Sequence, residues 1–182
     1  MHCWKTINVQ KLYGHDRIFL LSMIVVFAVF SFFYIAINVF INGPISDSMF
    51  PLFLVLFLMT YPMHKLLHFL PVARFKKHLR YDLIFRFGLI PTLNMRIHEP
   101  IVKSRYMLSL MMPFIVINSA FIVCAMTMPT YRHYFTILLA YHSGLCLIDL
   151  LYVKHLLKTP KKALIEETAK GFEVLIPVSN GR

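Results

Sequence analysis

Two histidines and one aspartate are the side chains best placed by type and spacing to do chemistry. The segment Thr60-Tyr-Pro-Met-His-Lys-Leu-Leu-His68 sets His64 and His68 four residues apart. On a helix that puts both imidazoles on one face, where they can reach a single metal ion. The segment Ala140-Tyr-His-Ser-Gly-Leu-Cys-Leu-Ile-Asp149 sets His142, Cys146 and Asp149 at i, i+4 and i+7, one stripe of a second helix. Two imidazoles and a carboxylate make up the usual three protein ligands of a catalytic zinc, which keeps a fourth position open.

With nine histidines in the chain, a single i, i+4 pair is an ordinary coincidence, so the pair points to a metal only together with Asp149. Other outcomes stay open. The histidines can be solvated by headgroups or hydrogen-bonded to a neighbouring helix. Asp149 can pair with Lys154 or Lys65, or be protonated against a backbone carbonyl. Cys146 fits a small packing residue better than a ligand, and His142 with a histidine of the first segment is the minor option of a haem axial pair. Lys65 follows His64 directly and points about 100° away from it around the helix.

The elements that must carry these residues are set by composition. Of 182 residues, 58% are hydrophobic and 15% charged, against about 45–50% and 25% in soluble domains. The apolar residues come in blocks near the roughly 20 residues that cross a hydrocarbon core. The expected fold is therefore an all-α membrane protein with four transmembrane helices, at about residues 17–41, 49–70, 105–128 and 131–157. A cytoplasmic connector covers 71–104 and a cytoplasmic tail 158–182, so that 1–182 forms a single polytopic membrane domain. The first block, Ile18 to Ile41, is too long for a signal-peptide core and is expected to be a retained anchor. Cys3, Cys124 and Cys146 are too few and too scattered for a disulfide framework.

The net charge of +11 would suggest nucleic acid for a soluble protein; here its distribution speaks for topology. Seventeen of the nineteen Lys and Arg lie in Met1 to Arg17, Pro71 to Arg105 and Lys154 to Arg182, leaving only Lys65 and Arg132 elsewhere. Basic loops stay on the cytoplasmic side. This predicts a multi-pass protein of the cell membrane with both termini cytoplasmic, and the lipid bilayer rather than nucleic acid as its partner. Counted from the external ends at about 1.5 Å per residue, His64, His68 and Asp149 lie about 22, 28 and 27 Å deep, a shared level near the cytoplasmic side.

In the connector, Leu83, Phe85 and Phe87 alternate with Asp82, Ile84 and Arg86; after Gly88 and Pro91, Leu93, Met95 and Ile97 alternate with Asn94, Arg96 and His98. Period two predicts a short cytoplasmic β-hairpin between helices 2 and 3, solvated or lying at the interface with Arg86 and Arg96 toward headgroups. Gly171 to Pro177 reads as a short strand following an acidic turn at Glu166 and Glu167. Pro62 and Pro113 fall inside predicted spans, where each removes a backbone donor and favours a kink.

At His64-Lys-Leu-Leu-His68 followed by Phe69-Leu-Pro71, at the basic connector, at Leu110-Met-Met-Pro-Phe114, at Asp149 and at Glu166-Glu-Thr-Ala-Lys-Gly-Phe172, the sequence resembles a bacterial family of membrane proteins described as zincin peptidases, similar in layout to site-2 intramembrane metalloproteases. The resemblance implies Zn²⁺ held by His64, His68 and Asp149, with a glutamate after the first histidine as general base. Lys65 occupies that general-base position, and an ammonium cannot accept a proton. Three readings follow. One is a zinc-binding, zincin-like protein impaired as a peptidase, which holds a membrane protein or peptide. Another is an active metallopeptidase using a different base, such as a deprotonated Lys65 or Glu99. The third is a metal-free structural or regulatory membrane protein.

Overall fold

The computed structural model describes residues 2–41, 43–72, 79–86, 90–97, 100–168 and 171–176. The chain opens with β1 (His2–Ile7) and a short α1 (Val9–Tyr13), whose end is set by Gly14 at φ +79°, a conformation costly for any residue with a Cβ. Then come α2 (His15–Phe40), α3 (Phe50–Phe69), β2 (Leu79–Arg86), β3 (Ile90–Ile97), β4 (Ile101–Val102) and α4 (Lys103–Thr127). A 3₁₀ turn at Pro129–Tyr131 leads into α5 (Arg132–Leu145) and α6 (Leu147–Leu157), followed by β5 (Leu164–Thr168) and β6 (Gly171–Ile176).

Helices α2, α3 and α4 are each long and apolar enough to cross a membrane. Their outer faces carry large apolar side chains without protein cover: Phe27 is 63% exposed and Phe32 67%. Water against each such ring would forfeit about 1.5–3 kcal/mol relative to burial, so lipid is the solvent these faces suit. The expected fourth span is not one straight helix. α5 and α6 meet at Cys146 with a bend of 45°, and they make a fourth span only if the bent pair is counted as one. Pro62 lies inside α3 and Pro113 inside α4, with helix on both sides of each.

α5 approaches α2 closely at Gly144. A Cβ there would stand 2.5 Å from Val26 Cγ2, and Ser22 Oγ donates to the Gly144 carbonyl at 2.9 Å. This small-residue contact lies one turn of chain or less before the bend at Cys146.

The all-α expectation needs correction, because a four-stranded antiparallel sheet in the order β1-β6-β5-β4 joins both ends of the chain. Ile7 pairs with Phe172, Val174 with Ile165, and Ile165 with Ile101, and all five are buried. They form one core with Ile18, Val72, Tyr106, Leu110, Leu151 and Leu156. The sheet thus caps the helix ends that lead into and out of it. A side chain at Gly171 would run into the Ile7 carbonyl, so β1 and β6 require glycine there. β6 matches the strand expected at 171–177 as far as Ile176. The acidic turn does not form as expected: Glu166 and Glu167 are paired residues of β5, opposite Glu173 and Phe172.

In the connector, β2 and β3 pair antiparallel with Leu83 opposite Leu93 and Tyr81 opposite Met95. Phe87, Gly88, His98, Glu99 and Pro177 lie outside the described residues.

Candidate metal centre

α3 is apolar from Phe50 onward and ends in His64-Lys-Leu-Leu-His68, so the helix itself delivers two imidazoles to one face. α6 starts at the bend and brings Asp149 in its first turn. The three meet. His64 Nε2 and His68 Nε2 are 3.1 Å apart, and each lies 3.3 Å from Asp149 Oδ2. The His64 side chain is 6% exposed, that of Asp149 15% and that of His68 19%. Two ligand atoms about 2.0–2.1 Å from one zinc at tetrahedral angles stand about 3.3–3.4 Å apart. The observed triangle has nearly that edge on all sides and leaves the fourth corner to a further ligand. Site residues predicted on three separate turns of helix are thus brought together, and these atoms could hold one metal ion.

The opposite edges of the rings explain why the triangle faces inward. His68 Nδ1 donates to the Ser109 carbonyl of α4 at 2.8 Å, and Ser109 Oγ donates back to the His68 carbonyl. A neutral imidazole with its proton on Nδ1 has its lone pair on Nε2. His64 Nδ1 lies 3.2 Å from His142 Nε2, and His142 Nδ1 lies 2.7 Å from Asn118 Oδ1. The site is therefore a meeting of two ring nitrogens and a carboxylate oxygen: Asp149 Oδ2 and, in the neutral ring, His68 Nε2 are acceptors, and His64 Nε2 is a third where that ring carries its proton on Nδ1.

The pairing of Asp149 with Lys154 or Lys65 does not occur: its ion-pair partners among the described residues are His64 and His68. Lys65 is exposed, with Nζ 5.9 Å from the centre of the Tyr61 ring. Of the haem pairings, His64 with His142 does not fit, since His64 Nδ1 and His142 Nε2 are in direct hydrogen-bond contact at 3.2 Å. Cys146 is fully buried at the bend, its Sγ 3.7 Å from His64 Nδ1 and 3.5 Å from His142 Nε2. His64, His142 and Cys146 make a second cluster that could take a metal.

Sequence reasoning missed the partners Ser109, Asn118 and Ser143. The available signal was Asn118 in the apolar run Phe114-Ile-Val-Ile-Asn-Ser-Ala-Phe121, a buried amide that must find hydrogen bonds. It also missed that Glu167 comes close to Tyr106, three residues before Ser109 on α4. The ring of Phe172, opposite Glu167 in the sheet, lies 5.6 Å from Tyr106 and 5.3 Å from Tyr152.

A family model described as "Putative zincin peptidase" matches residues 57–164, more than half of the chain. His64, His68, Asn118, His142 and Asp149 all fall inside the matched segment, whereas β1, β6 and nearly all of β5 fall outside it. No curated protein and no solved structure matches the chain.

Proposed function

Since the chain belongs to the zincin peptidase family, we propose that it is an integral membrane protein that binds one zinc ion through His64 Nε2, His68 Nε2 and Asp149 Oδ2. The observation that carries this reading is the triangle of 3.1, 3.3 and 3.3 Å between three atoms able to ligate a metal, with both imidazole rings hydrogen-bonded at their opposite edges. Zinc held there would supply Lewis-acid activation at its open position.

The chain departs from a working zincin at Lys65. Its ammonium is exposed and lies near Tyr61, and a cation cannot take the proton that the glutamate of an H-E-x-x-H helix takes. The protein is therefore zincin-like and impaired as a peptidase, holding a membrane protein or peptide rather than turning it over. Its layout resembles the site-2 intramembrane metalloproteases. The chain crosses the cell membrane four times, counting the bent α5–α6 pair as one span, with both termini and the connector cytoplasmic. That orientation leaves Arg132 as the one basic residue on the external side.

A second reading, an active peptidase with another base, draws on Glu167, a carboxylate close to Tyr106 of α4. It requires chelator-sensitive cleavage of a membrane-embedded peptide by the wild type, lost in Glu167→Gln.

The test of the main reading is elemental analysis of gently purified full-length protein. About one zinc per chain is expected. A metal-free wild type, or full retention in Asp149→Ala, would overturn it.

A further inference from the structure

Behind His64 lies a hydrogen-bonded series that crosses three helices. Ser143 Oγ donates to the Leu139 carbonyl at 2.8 Å, so its oxygen is free to accept from Asn118 Nδ2 at 3.3 Å. That contact orients the amide and turns Asn118 Oδ1 toward His142 Nδ1, 2.7 Å away. A carbonyl oxygen accepts only, so His142 carries its proton on Nδ1 and presents a bare Nε2. The bare Nε2 in turn accepts from His64 Nδ1–H at 3.2 Å. Every group in the series is buried: Asn118 is 8% exposed, Ser143 4%, His64 5% and His142 0%.

We infer that His142, held by Asn118 and Ser143, is a positioning residue that fixes the tautomer of His64 and aims its Nε2 lone pair at the space shared with His68 and Asp149. The inference rests on the zinc reading above and adds the device that prepares the ligand. A histidine ligand of either tautomer could rotate or carry its proton on the wrong nitrogen. With Nδ1–H committed to His142, the His64 ring has one orientation and one available lone pair. Outer partners of this kind typically set metal affinity by about 10–100-fold. His68 has a simpler counterpart, a single backbone carbonyl from Ser109. The assignment also gives His142 a role that its full burial and its position on the Asp149 stripe left unexplained.

The same atoms admit two rival arrangements. In one the series runs backwards: Asn118 presents its amide nitrogen to His142, His142 Nε2–H donates to His64, and the proton on His64 Nε2 points at Asp149. In the other, the metal sits on the far side of His64, among His64 Nδ1, His142 Nε2 and Cys146 Sγ, and His142 is a ligand.

The experiment uses the full-length protein in detergent, with two readouts. Nitrogen-15 spectra of histidine-labelled, metal-free protein report which nitrogen of His64 carries the proton, and this readout stands even if zinc does not bind. Zinc titration against a chromophoric competitor reports affinity. In the wild type the proton of His64 is expected on Nδ1. His142→Phe and Asn118→Leu should each weaken zinc by about 10–100-fold with one site per chain retained, and His64 should then show a mixture of tautomers. His142→Gln, whose side-chain oxygen can still accept from His64, and Asn118→Asp, which keeps the acceptor for His142, should stay near wild-type affinity. A merely structural contribution would not be restored in this pattern.

A proton on His64 Nε2 in the wild type would overturn the inference, as would unchanged affinity in His142→Phe. A cobalt-substituted wild type whose thiolate charge-transfer band disappears in Cys146→Ser would overturn it as well, by placing the metal on the Cys146 side. Absence of zinc with His64 protonated on Nδ1 would instead leave the positioning intact and remove the zinc reading alone.

Discussion

The two ends of the helix bundle each bury a polar cluster, and the clusters are built on opposite principles. At the end near Pro129, Arg132 is 5% exposed and spends its donors on three acceptors: Asn38 Oδ1 at 2.9 Å, the Pro129 carbonyl at 2.8 Å and the Gly43 carbonyl at 3.1 Å. Donors meet acceptors, and the network needs nothing from outside. At the other end His64, His68 and Asp149 bring two ring nitrogens and a carboxylate oxygen together, while the opposite edges of the rings face His142 and the Ser109 carbonyl. A buried charge with matched partners ties helices together. Lone-pair atoms that face one another can instead take up a cation or a proton, which distinguishes a candidate site from a structural clasp.

The sharpest way to break this comparison is to remove one member from each end. Asp149→Ala should release most of the zinc, because one of three protein ligands goes, and elemental analysis reads the loss directly. Arg132→Leu should leave zinc content unchanged while removing three hydrogen bonds, to the exposed carbonyls of Pro129 and Gly43 and to the half-buried Asn38 side chain, a loss of about 0.5–1.5 kcal/mol per bond, read as a lower thermal midpoint. If the Arg132 variant lost metal as fully as the Asp149 variant, the two clusters would not be separable in function.

A smaller effect sharpens the contrast through packing. In Gly144→Ala the new Cβ would meet Val26 Cγ2 at 2.5 Å and crowd Ser22 Oγ at 3.1 Å. Overpacking of this kind costs about 1–3 kcal/mol, and it should part α5 from α2 two residues from His142. Val26→Ala in the same chain should recover most of the loss in thermal unfolding. Lack of any recovery would mean that the contact with α2 is not what holds the bend.

How much of this was legible in the sequence follows from the range over which each signal acts. α2, α3 and α4 begin and end within about two residues of the apolar blocks, because lipid exposure demands continuous apolar sequence. The bend at Cys146 carried no proline to announce it, and the close approach of Gly144 to α2 just before it joins residues more than a hundred positions apart. β1, His-Cys-Trp-Lys-Thr-Ile, has five exposed residues and one buried, so it shows no alternation and is a strand only because β6 lies beside it. His64, His68 and Asp149 were visible because charge inside an apolar span is costly and rare. Asn118 gave a weaker signal, an amide inside an apolar run that must find hydrogen bonds, and Ser109 gave none, since the atom each one touches is set only by packing.

The smallest expected effect is also the most discriminating for chemistry, and it concerns Lys65. The residue is exposed and its ammonium lies near Tyr61, while the adjacent His64 is buried in the cluster, so neighbours in sequence about 100° apart around α3 meet different surroundings. A long aliphatic stem lets a lysine at a helix end carry its charge to the headgroups at little cost. Lys65→Ala should therefore leave zinc content within error of wild type and shift the thermal midpoint slightly. Lys65→Glu completes the H-E-x-x-H pattern, and on the helix geometry that carries Lys65 it adds a carboxylate beside His64. Weak, chelator-sensitive hydrolysis of a membrane-embedded peptide that appears in Lys65→Glu and is absent from wild type would identify the missing carboxylate as the impairment. The reverse pattern is equally readable: wild-type cleavage that Lys65→Ala abolishes would make Lys65 the base and remove the distinction drawn here between the side of α3 that binds metal and the side that meets the membrane surface.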